Sequence, residues 1–167
     1  MSVRDTETAF GKKLKKELEK LQKMEVVIGF TEGGSGYGKS HESVNADDYE
    51  DGTSVVDVAM WNEFGTATIP PRPFMRQSID NSEDKIIKMG QAQLQGIIKG
   101  SQTAEGALQA IGALQVGFAQ NEIREGGFVP NAPSTIAKKK DPDSRPLIDS
   151  GHMRQSVHYV VREKEGR

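Results

Sequence analysis

The chain contains no cysteine, so it has no disulfide framework, no thiolate nucleophile and no cysteine-ligated metal. It also lacks a basic excess, since its net charge is −2, whereas nucleic-acid binders depend on cations that neutralise phosphates. No apolar run is long enough to span a bilayer, and the charged N-terminus is unlike a signal peptide. We therefore expect a soluble protein made in a cytosol, with residues 1–167 forming a single domain.

The hydrophobic pattern predicts an α+β fold, in which a small antiparallel or mixed sheet packs against several amphipathic helices. Helices are predicted over residues 6–23 and 55–63, from Phe74 to about Ile98, and from Thr103 onward, with strands at 24–30 and 155–162. In the last long helix, Gly106, Gly112 and Gly117 either permit close packing or weaken the helix by about 1 kcal/mol each.

Residues 31–54 are rich in glycine, serine, aspartate and asparagine and are predicted to form a long polar loop. Within this loop, residues 33–40 satisfy the phosphate-loop pattern, in which Lys39 would reach phosphates and Ser40 would hold magnesium. The next segment, 41–52, lacks the apolar stripe of the required helix and carries five carboxylates. A nucleotide-binding protein is therefore an alternative interpretation, and we assign no cofactor.

The same acidic stretch partly matches a calcium-binding loop, because Asp47, Asp51 and Gly52 fall at suitable positions. Tyr49 and Val58, however, occupy positions where an oxygen ligand and a bidentate glutamate are needed. The three histidines of the chain are not at metalloprotease spacing. We assign no metal and no catalytic residue, and we expect a protein that is not an enzyme.

A proline-rich phrase at residues 62–76, the first phrase, follows the helix predicted at 55–63. Gly65 stands where a helix-ending residue with positive φ is expected. Three prolines then fix the backbone on both sides of Arg72. This pattern predicts a rigid arm that holds Arg72 outward for docking, with Arg76 nearby. The alternative is a loop that merely connects two helices.

A second proline-containing phrase, residues 131–151, begins with a short helix predicted at Pro133. Lys138, Lys139 and Lys140 follow near the end of this helix, where cations are favoured by the helix dipole. The cluster is either a solvated cationic turn or a patch that faces DNA or an acidic partner. The latter would allow a small nucleic-acid-binding protein as a further alternative.

Taken in order, the two phrases resemble a family of tailed-bacteriophage proteins, the neck and tail-completion proteins. The residues that carry the resemblance are Asn62 to Thr66, then Ile69, Pro70, Arg72, Pro73 and Phe74, then Asn131, Pro133, Ser134 and Thr135, and finally Pro146 to Gly151, with Arg154 and Ser156 after them. The similarity spans most of the chain. Its main departure is the long acidic loop at 31–54.

The resemblance implies a structural virion protein at the head–tail junction, assembled in host cytoplasm as a sixfold or twelvefold ring. Its neighbours would be the connector or portal and the tail tube, and genomic DNA would pass through without sequence-specific binding. We expect the channel face to be acidic or mixed. The predicted interface residues are Phe64, Arg72, Phe74, Arg76, Lys138, Lys139 and Lys140.

Overall fold

The computed structural model of the protein describes residues 8–30, 49, 52–139, 141 and 145–164. The described helices are α1 (Ala9–Lys23), α2 (Val55–Phe64), α3 (Phe74–Asp80), α4 (Glu83–Ile98), α5 (Ala104–Glu125), α6 (Pro133–Ile136) and α7 (His152–Gln155). Two strands, β1 (Met24–Gly29) and β2 (His158–Glu163), form an antiparallel sheet. The predicted α+β fold is confirmed, with helices predominating.

The central element of the fold is α5, which contacts α1, α3, α4, α7 and both strands. It begins where the sequence predicts, because the Thr103 hydroxyl accepts a hydrogen bond from the Gly106 amide. A second cap comes from another helix, since a carboxylate oxygen of Glu17 in α1 accepts from the Ala104 amide at 2.8 Å. The N-terminus of α5 therefore ties α1 to the rest of the fold.

The sheet lies directly against α5, and Gly112 makes this close approach possible. A Cβ atom added at Gly112 would stand 2.6 Å from the Tyr159 ring and 2.9 Å from Val26 Cγ2. Tyr159 is paired in register with Ile28 on β1, and Val26 is paired with Val161 on β2. Gly117, by contrast, faces open space. Of the two interpretations, close packing therefore holds at Gly112.

The predicted continuous helix from Phe74 to Ile98 is wrong, because the chain breaks at Asn81 and Ser82 into α3 and α4. The Ser82 hydroxyl donates to the Ser78 carbonyl, which competes with the regular helical ladder. Glu83 and Asp84 then begin α4 with carboxylates, which are favourable at a helix N-terminus.

The apolar stripe that helical spacing predicts for α2, formed by Val56, Ala59, Met60 and Phe64, differs from the face that is buried. Val55, Ala59 and Glu63 point inward, whereas Met60 and Phe64 are exposed. The main core lies beneath α2, where residues from α2, α3, α5, α7 and the segments around α7 pack together: Val55, Ala59, Phe74, Ala119, Ile123, Leu147, Met153 and Val157. The first and second phrases therefore share one core through Phe74 and Leu147.

Candidate functional site

The first phrase folds back on itself instead of projecting from the molecule. The Arg72 amide donates to the Asn62 carbonyl at 2.6 Å, and the Thr66 amide donates to the Ile69 carbonyl at 2.8 Å. Gly65 closes the turn with a φ of +77°, and a Cβ there would lie 2.9 Å from the Ile69 carbonyl oxygen. The phrase is thus a closed loop whose two ends meet.

Glu63 fastens the end of α2 to the start of α3. Its buried carboxylate accepts from the Met75 amide at 2.8 Å and from the Arg76 amide at 3.3 Å. It also accepts from Arg76 Nε at 2.9 Å, while Arg76 Nη2 donates to the Glu63 carbonyl. The Arg76 guanidinium lies 5.4 Å from the centre of the exposed Phe64 ring, within reach of a cation–π interaction.

Arg72 lies at the junction of the two phrases and is only 4% exposed. Its Nε donates to the Val129 carbonyl at 2.9 Å, and its Nη1 donates to Asn62 Oδ1 at 3.1 Å. Its Nη2 donates to Asn131 Oδ1 at 3.0 Å and to the Pro130 carbonyl at 3.4 Å. The planar guanidinium thereby joins α2, the first phrase and the start of the second phrase.

Asn131 and Lys139 extend this network through the second phrase. The Asn131 side-chain amide donates to the Pro146 carbonyl at 3.1 Å. Lys139 Nζ donates to the carbonyls of Arg145 and Ile148, at 2.8 Å and 2.6 Å. The two amide side chains at 62 and 131 therefore hold one arginine between them, and the lysine fixes the turn that precedes α7.

A groove of about 490 Å³ runs between the two phrases. One wall consists of α2 and the proline segment, including Trp61, Ile69 and Pro70, and the other includes residues 131–139 and 146–153. The lining combines apolar side chains such as Trp61 and Ile69 with polar ones such as Thr135 and Asp149. Most of its lining residues come from the two phrases that carry the family resemblance, and the others include Val58 and Trp61 of α2.

Burial lowers the pKa of two of the cations that line this groove, Arg72 and Lys139. Desolvation lowers the pKa of Arg72 from its ordinary value, although an arginine stays charged at neutral pH. Burial also lowers the pKa of Lys139, while the carboxylates of Asp149 and Asp141 act in the opposite direction. The groove lining therefore includes two cations that are shielded from solvent, and the Asp149 carboxylate lies near enough to Lys139 to favour its charged form.

The structure separates the predicted interface residues into two groups. Phe64 and Arg76 are exposed, as is Lys138, so these side chains are available to a partner. Arg72 and Phe74 are buried, and Lys139 is half-buried against its own chain. Lys140 lies outside the described residues. An interface role for any of these residues stays a prediction.

The expectation that Arg72 is held outward is wrong. Three fixed prolines make the segment stiff, but stiffness alone does not determine on which side a side chain lies. Four acceptors in or next to the two phrases surround Arg72 and draw it inward. The sequence reasoning missed Asn62, Glu63 and Asn131 as fastening residues. Their positions inside the two phrases were the available signal.

The phosphate-loop pattern at 33–40 lies outside the described residues, as does most of the predicted loop at 31–54. Among the residues that the structure describes, no group of three histidine, aspartate or glutamate side chains is placed to hold a metal ion. None of the described helices is both long and apolar enough to cross a membrane.

Comparisons with protein-family models, with curated proteins and with solved structures found no match to this chain.

Proposed function

We propose that the protein is a structural component of the head–tail junction of a tailed bacteriophage. Copies of it would form a ring that completes the neck or the tail end, allows heads and tails to join, and lets DNA pass. The observation that supports this most is the meeting of the two phrases at Arg72. Arg72 of the first phrase and Asn131 of the second phrase are 59 positions apart along the chain, yet the Arg72 guanidinium donates a hydrogen bond to the Asn131 side chain.

The chemistry of the groove supports docking. Arg72 and Lys139 donate to amide and carbonyl oxygens of their own chain, so they serve to fix the shape of the groove. Apolar walls at Trp61, Ile69 and Pro70 remain for a partner to contact. A preformed groove of this kind binds an extended segment of another protein at little cost in conformational entropy.

An exposed apolar surface on α2 supports assembly with a neighbour. Met60, Trp61 and Phe64 are between 42% and 66% exposed. Spacings of three and four residues place them on adjoining positions of one helix face. Large side chains that are grouped in this way mark interaction surfaces more often than scattered single ones do. This surface adjoins the groove through Trp61, so one partner could contact both.

Deletion of the gene from the phage that encodes the protein tests the proposal. We expect lysates that contain DNA-filled heads and separate, complete tails, with joined infectious particles restored by the wild-type gene supplied in trans. Infectious tailed particles without the protein would contradict the proposal, as would an arrest before DNA packaging. Tight magnesium-dependent ATP binding by the purified protein would instead support the nucleotide-binding alternative at 33–40.

A further inference from the structure

The outer surface of α1 is the most strongly cationic feature of the described chain. The helix carries six lysines and two glutamates, a net charge of +4, within a chain whose net charge is −2. All six lysines are exposed: Lys12, Lys13, Lys15, Lys16, Lys20 and Lys23. At 100° per residue they fall within one half of the helix circumference, so they form a single face. We name these six residues the lysine face.

Acidic side chains do little to neutralise this face. Glu19 lies within it, whereas Glu17 is on the inner side, where it accepts from the Ala104 amide. Lys20 lies 3.6 Å from Glu17 and is the lysine of the face that makes an ion pair within α1. Lysines four residues apart, such as Lys12 and Lys16, repel each other and destabilise an isolated helix. The lysine face therefore concentrates positive charge on α1 even though repulsion between the lysines destabilises the helix.

The inner side of α1 is already occupied by the fold. The helix contacts α5, α4 and β1, and its side chains Leu14, Glu17 and Leu21 are shielded from solvent to different degrees. An amphipathic helix that binds a lipid bilayer must insert its apolar side among the acyl chains. Here Leu14, Glu17 and Leu21 are covered by the protein, whereas Phe10 and Leu18 stay 50% and 37% exposed. The helix therefore cannot insert its whole apolar side into a bilayer, and the lysine face contacts what approaches from outside. A polyanion fits this surface better than a membrane does.

We propose that the lysine face of α1 binds the phosphate backbone of duplex DNA without reading its sequence. From Lys12 to Lys23 the helix extends about 16 Å, along which one DNA strand presents about five phosphates. Lysine is suited to such contacts because its ammonium acts as a point charge on a flexible stem. The exposed surface of α1 carries one aromatic side chain, Phe10, and one amide side chain, Gln22, which are too few to read a run of bases.

This proposal differs from the sequence expectation in the position of the DNA contact. The net charge of −2 gave no reason to expect a cationic surface, and Lys138–Lys140 was interpreted either as a solvated turn or as a patch facing DNA or an acidic partner. Segregation of charge onto α1 provides such a surface without a basic chain. The proposal depends on α1 alone and holds whether or not the protein belongs to a phage head–tail junction. In that setting, the lysine face would slow or retain DNA next to the ring.

The proposal is tested by fluorescence anisotropy with the full-length protein. The probe is a labelled DNA duplex of arbitrary sequence, about three turns of B-DNA long. The variant Lys12→Gln/Lys16→Gln removes two charges from the lysine face. The matched control, Lys88→Gln/Lys138→Gln, removes two exposed lysines elsewhere and includes one from the alternative cluster. Circular dichroism and thermal unfolding would verify that both variants fold.

We expect wild-type binding to weaken steeply as salt rises. Loss of two phosphate contacts would make the slope of log Kd against log salt shallower by about 1.8, while the control retains the wild-type slope. Between about 50 and 200 mM salt, this difference in slope corresponds to a roughly tenfold change in relative affinity. Absence of DNA binding at about 50 mM salt, or an equal loss in both variants, would overturn the proposal. Tighter binding to vesicles containing phosphatidylserine than to DNA would overturn it as well.

Discussion

Replacement of Arg72 by alanine should destabilise the folded monomer, because the arginine side chain is buried and donates hydrogen bonds within its own chain. The substitution leaves acceptors on Asn62, Val129, Pro130 and Asn131 without their shared donor. A hydrogen bond from a charged donor contributes about 1.5–3 kcal/mol, but the four bonds share one side chain and are not additive. We therefore expect a total loss of about 3–5 kcal/mol in the free energy of unfolding.

Substitution of the same arginine by lysine distinguishes the loss of charge from the loss of geometry. A lysine would keep the cation, but a single ammonium cannot satisfy acceptors that are arranged around a planar fork. We expect Arg72→Lys to recover less than half of the stability lost in Arg72→Ala. Partial recovery would show that the shape of the guanidinium is required, in addition to its charge.

Urea unfolding followed by circular dichroism measures both Arg72 variants, with Arg124→Ala as the control. Arg124 is exposed and pairs with Glu125 at the surface, so its removal should cost less than about 1 kcal/mol. If Arg72→Ala lowers the urea concentration at the unfolding midpoint no more than Arg124→Ala does, the conclusion that buried Arg72 stabilises the monomer is wrong. It would favour the interpretation in which Arg72 acts only in assembly.

Three further predictions concern other parts of the fold. Gly112→Ala should lower the free energy of unfolding by about 1–3 kcal/mol, because the added methyl group overpacks α5 against the sheet. Gly117→Ala should leave it unchanged or raise it by up to about 1 kcal/mol. Thermal unfolding of the two variants measures the difference. In the folded state, the hydrogen bond from the Ala104 amide lowers the pKa of the Glu17 carboxyl. The ionised carboxylate therefore stabilises the fold fully above its ordinary pKa of 4.5, and this stabilisation is lost as pH falls through the lower pKa of the folded state. Unfolding curves of Glu17→Gln between about pH 3 and 6 should therefore lack part of the acid-side fall in stability, and an unchanged fall would contradict this. Phe64→Ser should leave monomer unfolding within about 1 kcal/mol of wild type but reduce head–tail joining in complementation, because the ring is exposed.

The sequence was sufficient to predict elements whose signals are local. The start of α5 follows from the cap at Thr103, and the short helix after Ala132 follows from Pro133 at its first position. The buried face of α2 was not predictable in this way, because apolar residues surround that helix and spacing alone selects no face. The buried face was set by the packing of α2 against α7, through Val55 and Ala59 in the shared core.

The candidate site illustrates the same limit. Both phrases could be recognised from their prolines and motif residues, since proline acts on the backbone next to it. The inward position of Arg72 depends on Asn131 and on the carbonyls of residues 129 and 130, which are 57 to 59 residues away along the chain. No local pattern carries that information. The lysine face, by contrast, was present in the sequence and needed the fold only to show which side of α1 stays exposed.

The position of the protein in the assembled particle tests the central proposal most directly. Under the proposal that a tailed bacteriophage encodes the chain, a cryo-electron-microscopy reconstruction of its intact virion would show the neck and the upper end of the tail. We expect a ring of copies of this chain between connector and tail tube, with α2 residues Trp61 and Phe64 at contacts with neighbouring subunits. Absence of the chain from purified particles, or its presence only at a site away from the head–tail junction, would contradict the proposal.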